Sequence, residues 1–149
     1  MNWLCKKFDE LSPDELYSIL QLRNEVFVVE QNCVFQDADD KDQKCFHLMC
    51  WNGKKLIAYA RIIPAGICYE EISIGRVVTS PSARKKGLGK KLMLESINAV
   101  KSLFGAGSSI KIGAQLYLKK FYESLGFKKT SNIYIEDGIE HIEMLLSNI

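Results

Sequence analysis

Apolar residues recur along this chain at two different spacings, and the alternation between them predicts the order of its structural elements. Runs rich in Ile and Val indicate β-strands, whereas apolar residues three and four apart indicate helices. The predicted strands span residues 4–8, 45–51, 55–63, 69–79, 109–114, 129–135 and 140–145. The predicted helices span residues 12–30, 88–104 and 116–125, and residues 31–44 form a polar, aspartate-rich loop or short helix.

The first helix has a well-defined start. Ser12 is a favoured N-cap, Pro13 occupies the first helical position, and Glu15 completes a capping box. Leu11 and Leu16 lie where a hydrophobic staple would hold the entering chain. Because these signals agree, the helix is expected to begin at Pro13.

Glycine-containing turns and short links define the connections between strands. Asn52-Gly53 and Asp137-Gly138 are typical of hairpin turns. The three strands between residues 45 and 79 are joined by short links, which favour antiparallel pairing. The order β-α-βββ-α-β-α-ββ therefore predicts an α+β fold with a mixed, mostly antiparallel sheet flanked by helices. At 149 residues, the chain is expected to form one domain over residues 1–149.

The composition excludes several classes of protein. With 47% hydrophobic and 26% charged residues, the chain is neither disordered nor of low complexity. No apolar run approaches the length of a membrane span, and no signal-peptide pattern follows Met1, so a cytoplasmic protein that does not bind membranes is expected. Five cysteines without a CxxC pair, together with two histidines, argue against a disulfide framework or a metal site.

The net charge of +2 is small, but the charges are unevenly placed. One loop carries Asp37, Asp39, Asp40 and Asp42, and another carries Arg84, Lys85, Lys86, Lys90 and Lys91. An acidic run attracts cationic amines, yet such a run is more often a solvated loop, which is the favoured interpretation of residues 39–42. The basic loop indicates either an anionic ligand or simply a second solvated loop.

The basic loop has the features of a phosphate-binding site. A strand ends at Thr79, a glycine-containing loop follows, and a helix begins near Leu88. Gly87 and Gly89 allow close approach of a ligand to the backbone, and the free N–H groups of a helix N terminus attract anions. The spacing Arg84-x-x-Gly87-x-Gly89 matches neither a Walker loop nor a dinucleotide fingerprint. The pattern therefore predicts a pyrophosphate site of another kind.

A second motif lies on the predicted helix one strand later. Residues 121–127 read Phe-Tyr-Glu-Ser-Leu-Gly-Phe. Phe121, Leu125 and Phe127 fit a buried stripe, whereas Tyr122 lies one position off it. We therefore expect Tyr122 to face a cleft.

Together the two motifs, Arg84-x-x-Gly87-x-Gly89 after a strand and FYxxxGF on the following helix, resemble those of the GNAT acetyltransferases. The predicted order of elements also matches the GNAT fold over essentially the whole chain. Further segments resemble the ElaA-like branch of that family, namely LRNEVFVVEQ at residues 22–31, YARI at 59–62, IGRV at 74–77 and EDGIEH at 136–141.

This resemblance implies acetyl-CoA as the cosubstrate. In GNAT proteins the strand before the loop diverges from its neighbour and pairs through its backbone with the pantetheine arm. Val77, Val78 and Thr79 occupy those positions, and the backbone N–H near Val77 would face the developing oxyanion. The residues implied at the pyrophosphate are Arg84, Lys85, Lys86, Gly87, Leu88, Gly89 and Lys90. Gln115 matches a position that contacts the cofactor through its amide.

The same resemblance makes Tyr122 the general acid. Because the pKa values of a thiol and a phenol are close, a tyrosine can protonate a departing thiolate. The general base stays open, since the positions where family members carry a glutamate are Ser73 and Ile110 here. Glu71 and His141 are the two candidates, each acting through a water molecule.

Two arginines in apolar surroundings require partners, because a buried unpaired charge is strongly unfavourable. Arg23 lies on the apolar face of the first helix, and an ion pair with the acidic loop is the favoured interpretation. Arg76 lies in an apolar strand beside the expected thioester position, where an ion pair and a substrate contact are equally compatible with the sequence.

The leading hypothesis is an N-acetyltransferase that moves an acetyl group from acetyl-CoA to a primary amine by direct attack. Neither motif contains a cysteine, which disfavours a covalent intermediate. The amine is a small molecule or a peptide. The alternative is an acyl-CoA-binding sensor or regulatory protein on the same fold, without turnover. A nucleic-acid-binding module is disfavoured because the basic patch lacks interleaved aromatic residues. A homodimer is the commonest assembly of such small enzymes.

Overall fold

The structure is a computed structural model that describes residues 1–84 and 86–149. Its strands are β1 (Asn2–Lys7), β2 (Phe46–Asn52), β3 (Lys55–Ile63), β4 (Ser73–Thr79), β5 (Ile110–Gln115), β6 (Lys128–Lys129), β7 (Tyr134–Glu136) and β8 (Ile139–Leu146). Its α-helices are α1 (Pro13–Arg23), α2 (Leu88–Phe104) and α3 (Lys119–Ser124), and a π-helical segment, Asn24–Glu30, continues α1. Among the described residues, no helix is both long and apolar enough to cross a bilayer.

The predicted order of elements is confirmed, although some boundaries differ. The strand predicted from residue 69 begins at Ser73, because the Gly66 N–H donates to the Tyr69 carbonyl at 2.7 Å and closes a turn before it. The last predicted hairpin is shorter than expected. Strands β7 and β8 enclose Asp137-Gly138, while Lys128–Lys129 forms a separate short strand against β8.

Helix α1 begins as its capping residues predict. The Glu15 N–H donates to Ser12 Oγ at 3.1 Å, and the Ser12 N–H donates to Glu15 Oε1 at 2.8 Å. After Arg23 the chain stays helical to Glu30, as predicted, but with the wider winding of a π-helix. Phe27 and Glu30 of this segment line the central cavity described below.

The strands form two antiparallel sheets that meet at one edge. The first has the order β1-β2-β3-β4, and in the second β8 lies between β5 and the short strands β6 and β7. Within the described part of the chain, a parallel bridge between Ile72 and Ile110 joins them, with the Lys111 N–H donating to the Ile72 carbonyl at 2.9 Å. Beyond this bridge β4 and β5 do not pair with each other, so a cleft opens between their carboxyl ends. The predicted mixed, mostly antiparallel α+β fold is thereby confirmed.

Hydrophobic clusters cover both faces of the first sheet. Helix α2 packs Leu92, Met93 and Val100 into one cluster, and α1 packs Ile19 and Leu22 into the other. Ala58, Ala60 and Ile62 of β3 enter one cluster and Tyr59 enters the other, because successive side chains of a strand point to opposite faces. The acidic loop folds over the face that α1 covers, as the following contacts show.

Two buried arginine side chains fasten the acidic loop to this face. Arg23 Nε donates to Asp37 Oδ2 at 2.7 Å, and Arg23 Nη1 donates to Asp42 Oδ1 at 2.8 Å. Arg61 donates to the same Asp42 oxygen and to both carboxylate oxygens of Asp39, each at 2.8 Å. Arg23 and Arg61 are 0% and 2% exposed, so these carboxylates offset the lost hydration of each guanidinium.

The expected ion pair between Arg23 and the acidic loop is confirmed, but the expectation of a solvated loop over residues 39–42 is wrong. Asp42 is buried and Asp39 is half-buried, whereas Asp40 is exposed. The physical reason is Arg61, which was not predicted to take part. Its charge lies within an otherwise apolar strand and requires carboxylate partners there.

Asp42→Asn should destabilise the fold, whereas Asp40→Asn should not. Removing one partner of a buried ion pair should lower the free energy of unfolding by about 3 kcal/mol, and the melting temperature by about 10 °C. Asp40 is exposed with φ of +63°, which asparagine also tolerates, so its replacement should change stability by less than about 0.5 kcal/mol. Equal melting temperatures for Asp42→Asn and the wild type at pH 7 would contradict this role.

The contribution of Asp42 should also depend on pH. Burial acts to raise the pKa of its carboxyl, but the hydrogen bonds and charges of Arg23 and Arg61 outweigh burial and lower the pKa overall. Since the folded-state pKa is lowered, the stabilisation is present above the unfolded pKa of about 3.9 and is lost as the pH falls through and below it. Thermal melts from pH 7 to pH 3 should therefore show the wild type and Asp42→Asn converging at acid pH.

Candidate functional site

The cleft between β4 and β5 forms a cavity of about 900 Å³. Three of the predicted cofactor residues, Val77, Val78 and Thr79, line it from β4, and Gln115 lines it from β5. Tyr122 also lines it. Residues that are far apart in the sequence therefore meet at one opening, because β4 and β5 diverge there.

Strand β4 carries a bulge at this cavity. Gly75 pairs with Arg61 and Val78 pairs with Tyr59, so three steps along β4 oppose two along β3. Arg76, inside the bulge, has φ of +48°. A non-glycine residue adopts this left-handed conformation at a cost of about 1–2 kcal/mol. Contacts elsewhere must therefore hold the bulge in place.

The acidic loop supplies those contacts. Arg76 Nη2 donates to the Asp37 carbonyl at 2.9 Å, and Arg76 Nε lies 2.8 Å from Asp37 Oδ1. Nη2 also lies 3.4 Å from Asp39 Oδ2, and the guanidinium stands 6.0 Å from the centre of the Phe35 ring. The ion pair of Arg76 is thus present, while part of its side chain still borders the cavity beside Val77.

The predicted phosphate loop ends in an open helix N terminus. Gly87 has φ of +70° and caps α2, whose first backbone hydrogen bond runs from the Lys91 N–H to the Gly87 carbonyl at 3.1 Å. The N–H groups of Leu88, Gly89 and Lys90 precede that bond and have no partner within the helix. A Cβ atom added at Gly89 would meet no heavy atom within 4 Å, so the space over this turn is open.

The other predicted residues of this loop are placed differently. Lys86 and Lys90 are exposed, the Leu88 side chain is buried in the core, and Lys85 lies outside the described residues. Arg84 forms a two-pronged ion pair with Glu30, with nitrogen–oxygen distances of 2.9 and 2.6 Å. Arg84 lowers the pKa of the Glu30 carboxyl through these hydrogen bonds.

Residues 30–33 connect the two sides of the cavity mouth. Glu30 contacts the phosphate loop through Arg84, and Gln31 Oε1 lies 3.5 Å from Gln115 Nε2. Cys33 Sγ donates to the Asp137 carbonyl at 3.2 Å. The π-helical segment therefore ends above the cavity, which the sequence alone did not indicate.

Tyr122 lines the cavity and packs its ring into the core. Its ring packs edge-on against Phe121 and Phe127, with centres 5.1 and 5.8 Å apart. The side chain is 7% exposed, and burial, assisted by Tyr117, raises the pKa of Tyr122 to about 12. The hydroxyl hydrogen-bonds to none of the described residues and stays protonated at neutral pH, so it can donate a proton to a ligand.

The second sheet presents a polar face to the cavity. Gly113 pairs with Glu143 and Gln115 pairs with His141, and register partners share a face of an antiparallel sheet. Gly113 allows side chains to approach this face closely. A Cβ atom there would lie 2.8 Å from the Tyr134 hydroxyl and 3.0 Å from the Tyr69 hydroxyl. Neither tyrosine was predicted, although a glycine inside a strand indicates such an approach.

The structure distinguishes the two candidates for the general base, Glu71 and His141. It also places Ser73 and Ile110, the positions where family members carry a glutamate. His141 and Ser73 line the cavity, whereas Glu71 does not and Ile110 is buried in the core. His141 is 8% exposed, and its Nδ1 lies 2.8 Å from the Ile139 carbonyl. Its Nε2 lies 3.7 Å from Glu136 Oε2. A histidine paired with a carboxylate therefore borders the cavity.

Cysteines and metal-ligating clusters add little to the site. Cys33 and Cys68 border the cavity but lie outside both motifs, and Cys33 donates its thiol proton to a backbone carbonyl. Among the residues that the structure describes, no three His, Cys, Asp or Glu side chains are grouped as metal ligands.

Comparisons of the whole chain with known proteins identify the family to which it belongs. The family described as "Acetyltransferase (GNAT) domain" matches residues 9–147, and this chain belongs to it. The fold is that of the acyl-CoA N-acyltransferases.

Individual relatives cover nearly the whole chain. A UPF0039 protein of Schizosaccharomyces pombe is 45% identical over 147 residues, which are 98% of this chain and 97% of the relative. Protein ElaA of Escherichia coli is 39% identical over 146 residues, or 97% and 95% of the two chains. The crystal structure of an acyl-CoA N-acyltransferase from Pseudomonas aeruginosa superposes with a TM-score of 0.93 at 39% identity, covering 99% of this chain and 100% of that one. The crystal structure of Escherichia coli ElaA superposes with a TM-score of 0.92 at 38% identity and the same coverage. The resemblance to the ElaA-like branch is thus confirmed.

Gly113→Ala should destabilise the protein by forcing the two tyrosine hydroxyls away from β5. We expect a loss of about 1–3 kcal/mol in the free energy of unfolding, as for other overpacked positions. In a Tyr134→Phe background, which lacks the nearer hydroxyl, the same replacement should cost about 1 kcal/mol less. Urea unfolding of the four variants measures this coupling, and additive effects would contradict the close approach.

Proposed function

We propose that the protein is an N-acetyltransferase that transfers the acetyl group of acetyl-CoA to a primary amine by direct attack. The observation that carries this proposal is the meeting of three groups in one cavity. The unpaired end of β4, the open N terminus of α2 and the Tyr122 hydroxyl all border the same space. Membership of the GNAT family supports acyl transfer in general. The residues that line the cavity support the proposal that the donor is acetyl-CoA and that the amine attacks it directly.

The chain offers suitable groups for each part of acetyl-CoA, which would supply an acetyl group activated as a thioester. Backbone groups of residues 77–79 that do not pair with β3 face the cleft, where β4 has no neighbouring strand, so they can pair with the amides of the pantetheine arm. The backbone N–H groups at residues 88–90 favour an anion, because the helix dipole and unpaired donors act together there. The exposed Lys86 and Lys90 side chains add positive charge for the pyrophosphate.

Tyr122 would act as the general acid. Its raised pKa of about 12 keeps the phenol protonated, so a proton is available for the sulfur as the carbon–sulfur bond breaks. The rings of Phe121 and Phe127 pack against Tyr122 and hold its phenol ring in place. The backbone N–H near Val77, beside the bulge, would stabilise the developing oxyanion.

Titration of acetyl-CoA into the pure protein tests the cofactor assignment. We expect saturable binding in calorimetry, accompanied by a rise in melting temperature. Gly89→Leu should weaken this binding about tenfold or more, because the new side chain would fill the space over the open N–H groups, a loss of about 1.4 kcal/mol. Its melting temperature without ligand should not fall, since leucine favours a helix more than glycine.

Asn98→Leu is the matched control for this experiment. Asn98 is exposed on the same helix, beyond the first turn, so the replacement adds the same side chain away from the proposed pyrophosphate. It should bind acetyl-CoA as the wild type does. No binding by the wild type at millimolar acetyl-CoA, or equal binding by both leucine variants, would overturn the pyrophosphate assignment.

Tyr122→Phe distinguishes an enzyme from a sensor. Loss of a general acid should lower kcat by about 10²- to 10⁴-fold, with little change in the Kd for acetyl-CoA. The measurement is thiol release with an amine panel of benzylamine, spermidine and a short lysine-containing peptide. An unchanged kcat would remove Tyr122 from the acid role, and cofactor binding without turnover of any amine would favour the sensor.

A further inference from the structure

The two nitrogens of the His141 ring have different environments. Nδ1 lies 2.8 Å from the carbonyl oxygen of Ile139, two residues earlier in the same strand. A carbonyl oxygen only accepts hydrogen bonds, so Nδ1 must carry the proton and donate it. In the neutral ring, Nε2 therefore holds a free lone pair.

Nε2 also lies near a carboxylate, on a ring whose orientation is fixed by its neighbours. The Glu136 carboxylate lies 3.7 Å away, and an ion pair forms between the two when the imidazole becomes charged. The Tyr134 ring stacks on the imidazole, with centres 5.8 Å apart and planes inclined by 29°. This packing fixes the plane of the ring, and the hydrogen bond to Ile139 fixes its rotation.

The position of His141 connects this geometry to the proposed reaction. His141 lines the same cavity as Tyr122 and Val77, and its register partner on β5 is Gln115. Of the two base candidates from the sequence, Glu71 does not line that cavity. His141 is therefore the candidate that borders the proposed acetyl-CoA cavity.

We propose that His141 Nε2 is the general base that accepts the proton of the attacking amine, and that Glu136 stabilises the resulting imidazolium. This inference rests on the proposed function. As the amine nitrogen bonds to the acetyl carbon, its proton passes to Nε2. The carbon–sulfur bond breaks, its electron pair leaves with the sulfur, and the sulfur takes a proton from the Tyr122 hydroxyl. Solvent then returns a proton to Tyr122 and removes the one on His141.

The chain contains two histidines, and their environments predict opposite tautomers. His47 is fully buried, with Nε2 lying 2.9 Å from the Asp42 carbonyl and Nδ1 lying 2.7 Å from the Tyr59 hydroxyl. Its proton must therefore lie on Nε2, whereas that of His141 lies on Nδ1. Burial lowers the pKa of His47, so this ring stays neutral at pH 7 and serves as an internal reference.

Long-range nitrogen–proton NMR correlations of the uniformly ¹⁵N-labelled full chain test the tautomer directly. We expect one histidine protonated at Nε2 and the other at Nδ1, with the second set of signals absent from a His141→Asn variant. This measurement needs no substrate. Finding His141 protonated at Nε2 in its neutral form would overturn the inference, because that atom would then have no lone pair to offer.

His141→Asn also tests the role in turnover. An asparagine amide can replace the Nδ1–H donor to Ile139 but supplies no base, so the fold and the Kd for acetyl-CoA should be retained. We expect kcat with the amine panel to fall about 10²- to 10⁴-fold. Glu136→Gln should lower kcat about two- to fivefold, as expected for a solvent-exposed ion pair, whereas the exposed neighbour Glu140→Gln should leave it unchanged.

The outcomes separate this inference from the proposed function. A wild type that acetylates an amine together with an equally active His141→Asn variant overturns the role of His141 alone. A wild type that binds acetyl-CoA but acetylates none of the amines overturns the proposed function and this inference with it. A selective loss of kcat in His141→Asn, with unchanged Kd and melting temperature, supports the inference.

Discussion

The ion-pair network of Arg23 and Arg61 with the acidic loop is the interaction on which the cavity most depends. Two guanidinium groups lie inside an otherwise apolar layer, where an unpaired charge would be strongly unfavourable. The loop that supplies Asp37, Asp39 and Asp42 is therefore held against β3 and β4. Asp37 and Asp39 also contact Arg76 in the β4 bulge and offset its backbone strain. The need to pair these buried charges thus positions both the acidic loop at the cavity and the bulged strand β4 that lines it.

The second constraint is the divergence of β4 and β5. They are joined near Ile72 and Ile110, and the cleft beyond that bridge leaves backbone groups of β4 without a neighbouring strand. Such groups are costly to bury unpaired, so an opening of this kind is suited to a ligand that pairs with backbone. Helix α2 connects the two strands, and its N terminus lies at the open end beside Thr79. An open helix N terminus and a strand edge without a neighbour therefore lie next to each other.

Much of the fold and part of the site could be predicted from local patterns. The capping box at Ser12 and the glycines at residues 87 and 89 act through neighbours in the chain, so their consequences are readable in sequence. The Tyr122 prediction depended on family resemblance together with its position beside a buried stripe, and the structure places it in the cavity. Gly113 shows what local sequence patterns cannot predict. Its role comes from two tyrosines that are distant in sequence, and only the packed sheet brings them together.

The sequence by itself determined the order of elements, the family and the glycine-capped start of α2. These follow from periodicity, capping and turn chemistry, which act over a few residues. The tertiary structure decided which charges are buried and which polar groups share the cavity. Asp42 became an internal counter-ion because Arg61 lies opposite it, and His141 became the better base candidate because β8 carries it to the cleft. Burial and electrostatic pairing depend on groups far apart in the chain, so these roles exist only in the folded arrangement.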